Sequence, residues 1–219
     1  MDISKEDLIN KIKEINSITN EKWLDGLEDR KKKELEFHNK DRDPSFVEQA
    51  IKDQDTFEKF YGNKKYYTTT KLSVDYIDDW ILKKCSGKVC LDYACGNGKY
   101  AFKMADSGAD LVLGIDISDI SIENCIKSSQ EMGVEKNLIF FQADCENTQL
   151  PNNSIDIIFC SGMLHHLDLS FAFPEMLRIL KPGGRVLAIE ALDYNPAIKL
   201  YRYLTPDMRT EWEKAHILS

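Results

Sequence analysis

Long apolar runs are missing. "LVLGI" and "IDIIFCSGML" stop far short of the roughly 20 residues that cross a bilayer. The start, "MDISKEDLIN", carries acids where a secretory leader needs a basic residue and an apolar stretch. Both absences point to a cytoplasmic protein with no membrane partner. Positive charge is also short: the net charge is −8. Binding to phosphates needs a basic face, so nucleic acid is not an expected partner. The basic run Arg30 to Lys33 sits among Glu28, Asp29, Glu34 and Glu36 and reads as a solvated helix face. Six cysteines form no C-x-x-C pair, which argues against a disulfide framework or a zinc site. Several lie in apolar, strand-like contexts, where free cysteine behaves as a small hydrophobe. Internal repeats and low-complexity linkers are absent.

What is present suits one α/β domain with an N-terminal extension: 219 residues, 42% of them hydrophobic and 30% charged. To about Asn39 the chain reads as helix. Leu8, Ile9, Ile12 and Ile15 recur at helical spacing, and Trp23, Leu24 and Leu27 follow a break near Ser17 to Asn20. Asp43 before Pro44 is a helix cap followed by a first-turn proline, and that helix is expected to reach Tyr61 and stop at Gly62. Leu72, Tyr76, Ile77, Trp80 and Ile81 mark another amphipathic helix, and His38 is expected to be exposed.

From Lys88 strands and helices alternate. "KVCLDY", "LVLGID", "LIFFQAD", "IDIIFC" and "RVLAIEAL" read as strands. Helices are expected over Lys99 to Ser107, over "SDISIENCIKSSQEMG" and over Leu169 to Leu180, with "KPGG" as a turn. Short apolar strands with helical crossovers imply a Rossmann-like, mostly parallel sheet with helices on both faces. Ligands of such sheets bind beyond the carboxyl ends of the strands. The domain reading is an N-terminal helical extension or lid over residues 1–70 and a core over residues 71–219.

The stretch "LDYACGNG", Leu91 to Gly98, ends a strand in an acid and follows it with two glycines. Bare backbone there lets N–H groups and a helix N-terminus approach a ligand closely. Asp116 ends the next strand, about 20 residues on, where a carboxylate can accept both ribose hydroxyls. A nucleoside-containing ligand follows. "GNGKYA" also satisfies the dinucleotide pattern, so NAD stays an alternative. Asp92, however, would oppose a pyrophosphate and would suit an ammonium. Asp144 closes the third strand, where it can accept from an adenine amino group, and "CSGMLHHL" closes the fourth.

"VCLDYACGNG", "VLGIDIS", "FFQADCENTQLP", "IDIIFCSGMLHHL" and "LKPGGRVLAIEAL" resemble the successive motifs of class I S-adenosylmethionine-dependent methyltransferases. The closest look is to the small-molecule group with quinone and sterol methylases. The resemblance covers roughly residues 60 to 205, with Ala94 where the first loop glycine is usual. It implies S-adenosyl-L-methionine as cofactor, S-adenosyl-L-homocysteine as product and a small-molecule acceptor. It implies that Asp92 organises the methionine ammonium and that Ala94, Gly96, Asn97 and Gly98 pack against the cofactor. Asp116 would hold the ribose, Ile117 the adenine, Asp144 the adenine amino group and Cys145 the ring edge. Cys160 and Ser161 would border the methionine, and Tyr67 would close over it, with a packed loop tyrosine as the competing reading.

Methyl transfer from a sulfonium needs alignment above all, and a hydroxyl acceptor also benefits from a base. His165 is the first candidate for that base and His166 the second. Glu190, Tyr194, Tyr201, Arg202 and Arg209 are candidate pocket residues for a polar or anionic acceptor. A hydroxyl oxygen is the expected methylated atom. A NAD-dependent oxidoreductase and a non-catalytic cofactor-binding module are the alternatives. The resemblance also implies a C-terminal antiparallel hairpin, for which the sequence offers no candidate. Either the sequence is part of a longer chain, or the bare edge of the fifth strand is covered by a second copy or a partner chain.

Overall fold

A computed structural model of the chain describes residues 3–18, 20–53, 71–190, 194, 196–205 and 210–216. Four helices come first: α1 (Lys5–Asn16), α2 (Asn20–Asp25), α3 (Asp29–Arg42) and α4 (Pro44–Lys52). Ser4 caps α1 and Asp43 caps α4, its carboxylate accepting from the Ser45 and Phe46 amides. The described part of α4 stops at Lys52; the expected end at Gly62 and Tyr67 both lie outside the described residues.

Helix α5 (Lys71–Lys84) leads into alternating elements: β1 (Val89–Tyr93), α6 (Lys99–Asp106), β2 (Leu111–Asp116), α7 (Asp119–Met132), β3 (Leu138–Gln142), β4 (Ile155–Ser161), α8 (Leu169–Ile179) and β5 (Leu180–Ile189). The five strands form one sheet in the order β3-β2-β1-β4-β5, every pairing parallel. The order reverses between β1 and β4, which opens a crevice at their carboxyl ends. Strand β2 is buried at every position, as a strand covered on both faces must be.

The sequence "KPGG" is a turn inside a strand. Ile155 faces Leu180 while Ile157 faces Arg185, so Lys181 to Gly184 loop out of the ladder, with Gly183 at φ +79°. After β5 the described residues form α9 (Pro196–Leu204) and α10 (Glu211–Ala215). Among the described residues no strand pairs with the outer edge of β5, and Val186 on it is 43% exposed.

The apolar faces meet where the pattern requires. Leu8, Ile12 and Ile15 of α1 join one core cluster with Leu91, Leu113, Phe141 and Ile158. Each such side chain contributes about 1.5–3 kcal/mol on burial, so α1 is built into the sheet's own core. Ile77 and Ile81 of α5 join the cluster on the other face, whereas Leu72 and Tyr76 of that helix stand exposed. Among the described residues no helix is long and apolar enough to cross a membrane.

Candidate functional site

The turn after β1 is built by backbone that few side chains tolerate. Ala94, Gly96 and Gly98 have φ of 60°, 52° and 76°. The two glycines serve different ends. A Cβ at Gly98 would lie 2.9–3.1 Å from Phe102, Cys125 and Phe140, so this position is bare for packing. A Cβ at Gly96 would lie 2.8 Å from Nη1 of Arg42, which reaches over the turn from α3. The Gly96 amide donates to the Asp116 carboxylate at 2.8 Å, and the Ser118 amide donates to its other oxygen at 2.9 Å. Burial pushes the Asp116 carboxyl up, against the pull of those two amides and the Arg42 charge. This joins the ends of β1 and β2 at one carboxylate.

A cleft holding about 710 Å³ of space, part of it open solvent, runs along the strand ends. Its floor is Ala94 and Gly96 after β1, Asp116 and Ile117 at the end of β2, Asp144 to Glu146 after β3, and Ser161 to Met163 at the end of β4. Its roof is one face of α3: Arg30, Glu34, His38 and Arg42, at successive four-residue steps, with Lys31 beside them. The first half of the basic run, Arg30 and Lys31, therefore turns inward, while Lys33 stays exposed as expected. Lys31 is 9% exposed, with Nζ 2.6 Å from Asp144 and 2.9 Å from Glu146. Arg30 lies 2.6 Å from Glu146. Burial alone would lower the Lys31 pKa, but the two carboxylates raise it overall. The charges turn inward because the strand ends supply buried carboxylates to meet them.

His38, expected in solvent, is half-buried on the cleft wall. Burial and the neighbouring His166, Arg42 and His165 hold its pKa well below the usual histidine value, so it is a neutral imidazole. His166 also lines the cleft, its Nδ1 3.0 Å from Glu34 Oε2. His165 is placed differently. It is not on the cleft lining, and its Nδ1 lies 2.7 Å from Glu190 Oε2. The other oxygen of Glu190 accepts from the Met163 and Leu164 amides, both at 2.7 Å. Burial pushes the Glu190 carboxyl up, but His165 and these amides bring it below the usual range.

Several expected contacts sit back from the cleft. Asp92 is 3% exposed, its carboxylate accepting from the Ala101 amide at the start of α6. Burial and the Asp116 charge raise its pKa to about 7. Cys160 is buried, its thiol pushed up to about 12 chiefly by burial, and Asn97 is exposed. Cys145 and Ser161 do line the cleft, and the Cys145 carbonyl accepts from the Tyr93 hydroxyl. Tyr194 is 72% exposed. Arg209 and the Tyr201 side chain lie outside the described residues. Arg30, Lys31, Glu34, Arg42 and Glu146 were not singled out from the sequence, although the four-residue recurrence of Arg30, Glu34, His38 and Arg42 marks one helical face.

Residues 91–188 match the family model described as "Methyltransferase domain". The chain is 32% identical over 102 residues to 27-O-demethylrifamycin SV methyltransferase of Amycolatopsis mediterranei, covering 46% of this chain and 38% of that protein. It is 35% identical over 120 residues to phosphoethanolamine N-methyltransferase 3 of Arabidopsis thaliana, covering 54% of this chain and 23% of that one. It thus spans well under half the length of these relatives. Among solved structures, the YcgJ protein of Bacillus subtilis superposes with a TM-score of 0.53 at 27% identity, covering 59% of this chain and 57% of that chain. With the reversed strand order, the left-handed turn after β1 and the Asp116 bridge in place, residues 91–188 are similar to the methyltransferase domain of these relatives on a Rossmann-like methyltransferase fold.

Proposed function

We propose that the protein transfers a methyl group from S-adenosyl-L-methionine to a hydroxyl oxygen of a small molecule. The observation that carries the reading is the Gly96–Asp116 hydrogen bond that joins the ends of β1 and β2, with both residues on the cleft floor. The site residues fit the cofactor. Asp116 would take the ribose hydroxyls while Ile117 packs on the adenine. The adenine amino group would share Asp144 with Lys31, and Ser161 would border the methionine. Asp92 acts from beneath, its buried carboxyl fixing the start of α6 through the Ala101 amide. When bound, the cofactor supplies an electrophilic methyl on a sulfonium.

The chain's own contribution is positioning and protection from water. Helix α3 roofs the strand ends, and its ion pairs with Asp144 and Glu146 hold that roof in place. Holding acceptor and methyl in line is the largest effect available to such a site. His166, oriented by Glu34, is the imidazole that faces the acceptor side, and His165 is a positioning residue that fixes the turn after β4 through Glu190. The printed names of the relatives support small-molecule acceptors, with oxygen in one and nitrogen in the other. Incubating the protein with methyl-tritiated cofactor and a cell extract tests the reading. Label should pass to a small-molecule fraction. Label only in protein or RNA, or none, would refute it.

A further inference from the structure

We propose that Glu34, His38 and His166 form a site for one divalent transition-metal ion, whose open positions take oxygen atoms of the acceptor. The second half rests on the methyl-transfer reading of the cleft; the metal site itself does not.

Glu34 Oε2 lies 3.0 Å from His166 Nδ1 and 3.7 Å from His38 Nε2. One donor atom from each of the three residues lies within 4.8 Å of the others. An ion bonded to nitrogen and carboxylate oxygen at about 2.0–2.2 Å sets its donors roughly 2.9–3.5 Å apart. The first separation falls inside that range and the second about 0.2 Å outside it.

Two separately anchored elements bring the donors together. Glu34 and His38 are four residues apart on α3 and share a face, and His166 follows β4. Glu34 Oε1 accepts from the Thr210 hydroxyl at 2.5 Å. Such an outer hydrogen bond fixes the direction of a ligating carboxylate. All three side chains lie on the cleft wall.

Nearby cations do not oppose an ion there, because each already has a carboxylate partner. Arg30 pairs with Glu146, Lys31 with Asp144 and Glu146, and Arg42 with Asp41. Glu34 therefore brings its own negative charge to the two imidazoles. Two nitrogens and one carboxylate favour zinc, cobalt, nickel or ferrous iron over magnesium and calcium, which prefer all-oxygen sites. Three protein donors leave further positions for exogenous ligands.

The metal takes the place next to Nδ1 that faces Glu34, and the ring, ligating as a neutral imidazole, carries its proton on Nε2. An acceptor hydroxyl bound at the ion loses its own proton to solvent more readily, as metal-bound water does. The freed oxygen pair then forms the O–C bond while the S–C bond breaks, its electrons remaining on sulfur. The acceptor class is a small molecule presenting a hydroxyl beside a second oxygen able to coordinate.

The test uses the full chain freed of metal with chelator and titrated with cobalt(II), followed by calorimetry and visible absorption. One cobalt per chain should bind with a Kd in the micromolar range or below, show ligand-field bands, and be displaced by zinc. Glu34→Gln, His38→Ala and His166→Ala should each weaken binding at least tenfold, while His216→Ala binds as the wild type does. Circular dichroism checks folding, and His38→Asn or His166→Asn replaces a variant that fails. A wild-type Kd above a millimolar, or variants that bind cobalt unchanged, would overturn the site. S-adenosylhomocysteine binding is measured on the same metal-free protein. If it is intact while cobalt fails, the metal proposal alone falls. Cobalt binding without it removes the acceptor half.

Discussion

Lys31 Nζ lies 2.6 Å from the Asp144 carboxylate, so an N-terminal helix is pinned to the end of the third strand. Glu146, whose side chain is 2% exposed, completes the bridge by pairing with both Lys31 and Arg30. Breaking a buried pair typically costs 3–5 kcal/mol, because the surviving charge is left without a partner. Arg30 still faces Glu146, which moderates the loss. Lys31→Ala is therefore expected to destabilise the protein by about 2–3 kcal/mol, a fall in Tm of roughly 6–10 °C for a chain of this size. Thermal unfolding followed by circular dichroism reads this directly, and an unchanged Tm would show the pair to be incidental.

Asp92 makes stability depend on pH in an unusual sense. Its folded pKa is raised to about 7 by burial and by Asp116, from an ordinary value of 3.8. Between those values the native state holds a proton that the unfolded chain has released, so stability falls as pH rises from about 4 to 7. The full shift corresponds to about 4 kcal/mol. Asp92→Asn keeps an oxygen for the Ala101 amide and removes the ionisation. It is expected to match the wild type near pH 4 and exceed it by a few kcal/mol at pH 8. Urea titrations at both pH values check this; equal differences at the two would contradict it.

Two glycines with similar backbone angles should respond differently to alanine. Gly98 and Gly133 have φ of +76° and +66°, but a Cβ at Gly98 meets three side chains at 2.9–3.1 Å while at Gly133 it meets nothing within 4 Å. Gly133→Ala should cost about 1 kcal/mol from the left-handed backbone alone. Gly98→Ala should cost about 2–4 kcal/mol, because overpacking adds to that strain. Denaturant midpoints of the two variants give the comparison.

Glu190 holds the turn after β4 through two amides and His165. Glu190→Ala leaves those donors unsatisfied in a half-buried place, at about 2–4 kcal/mol. His165→Ala removes one partner and should cost about 1 kcal/mol. In transfer assays His166→Ala should lose at least tenfold more kcat than His165→Ala. A larger loss for His165→Ala would return the acid–base role to it.

The core was legible because its signals are local. "LVLGID" is strand β2 over Leu111–Asp116, and Ser118 and Gly133 bracket α7 as cap and stop. The place of Asp116 was also legible, since it closes the apolar run that forms β2. The roof was not. Arg30 and Lys31 look solvated until a distant strand end supplies Asp144 and Glu146, over a hundred residues away. The tight packing around Gly98 was hidden for a similar reason. Its closest neighbours include Cys125 and Phe140, whose approach only the folded sheet reveals. His165 and His166 are adjacent in the chain, and only the three-dimensional positions of Glu190 and Glu34 tell them apart.

Titration calorimetry with S-adenosylhomocysteine, using NAD as the control ligand, addresses the adenosyl cradle itself. One molecule should bind per chain, NAD should give no heat, and Asp116→Ala should weaken binding by about 10- to 100-fold, the worth of a charged hydrogen bond. Tight NAD binding, or S-adenosylhomocysteine binding that ignores the loss of Asp116, would contradict the account.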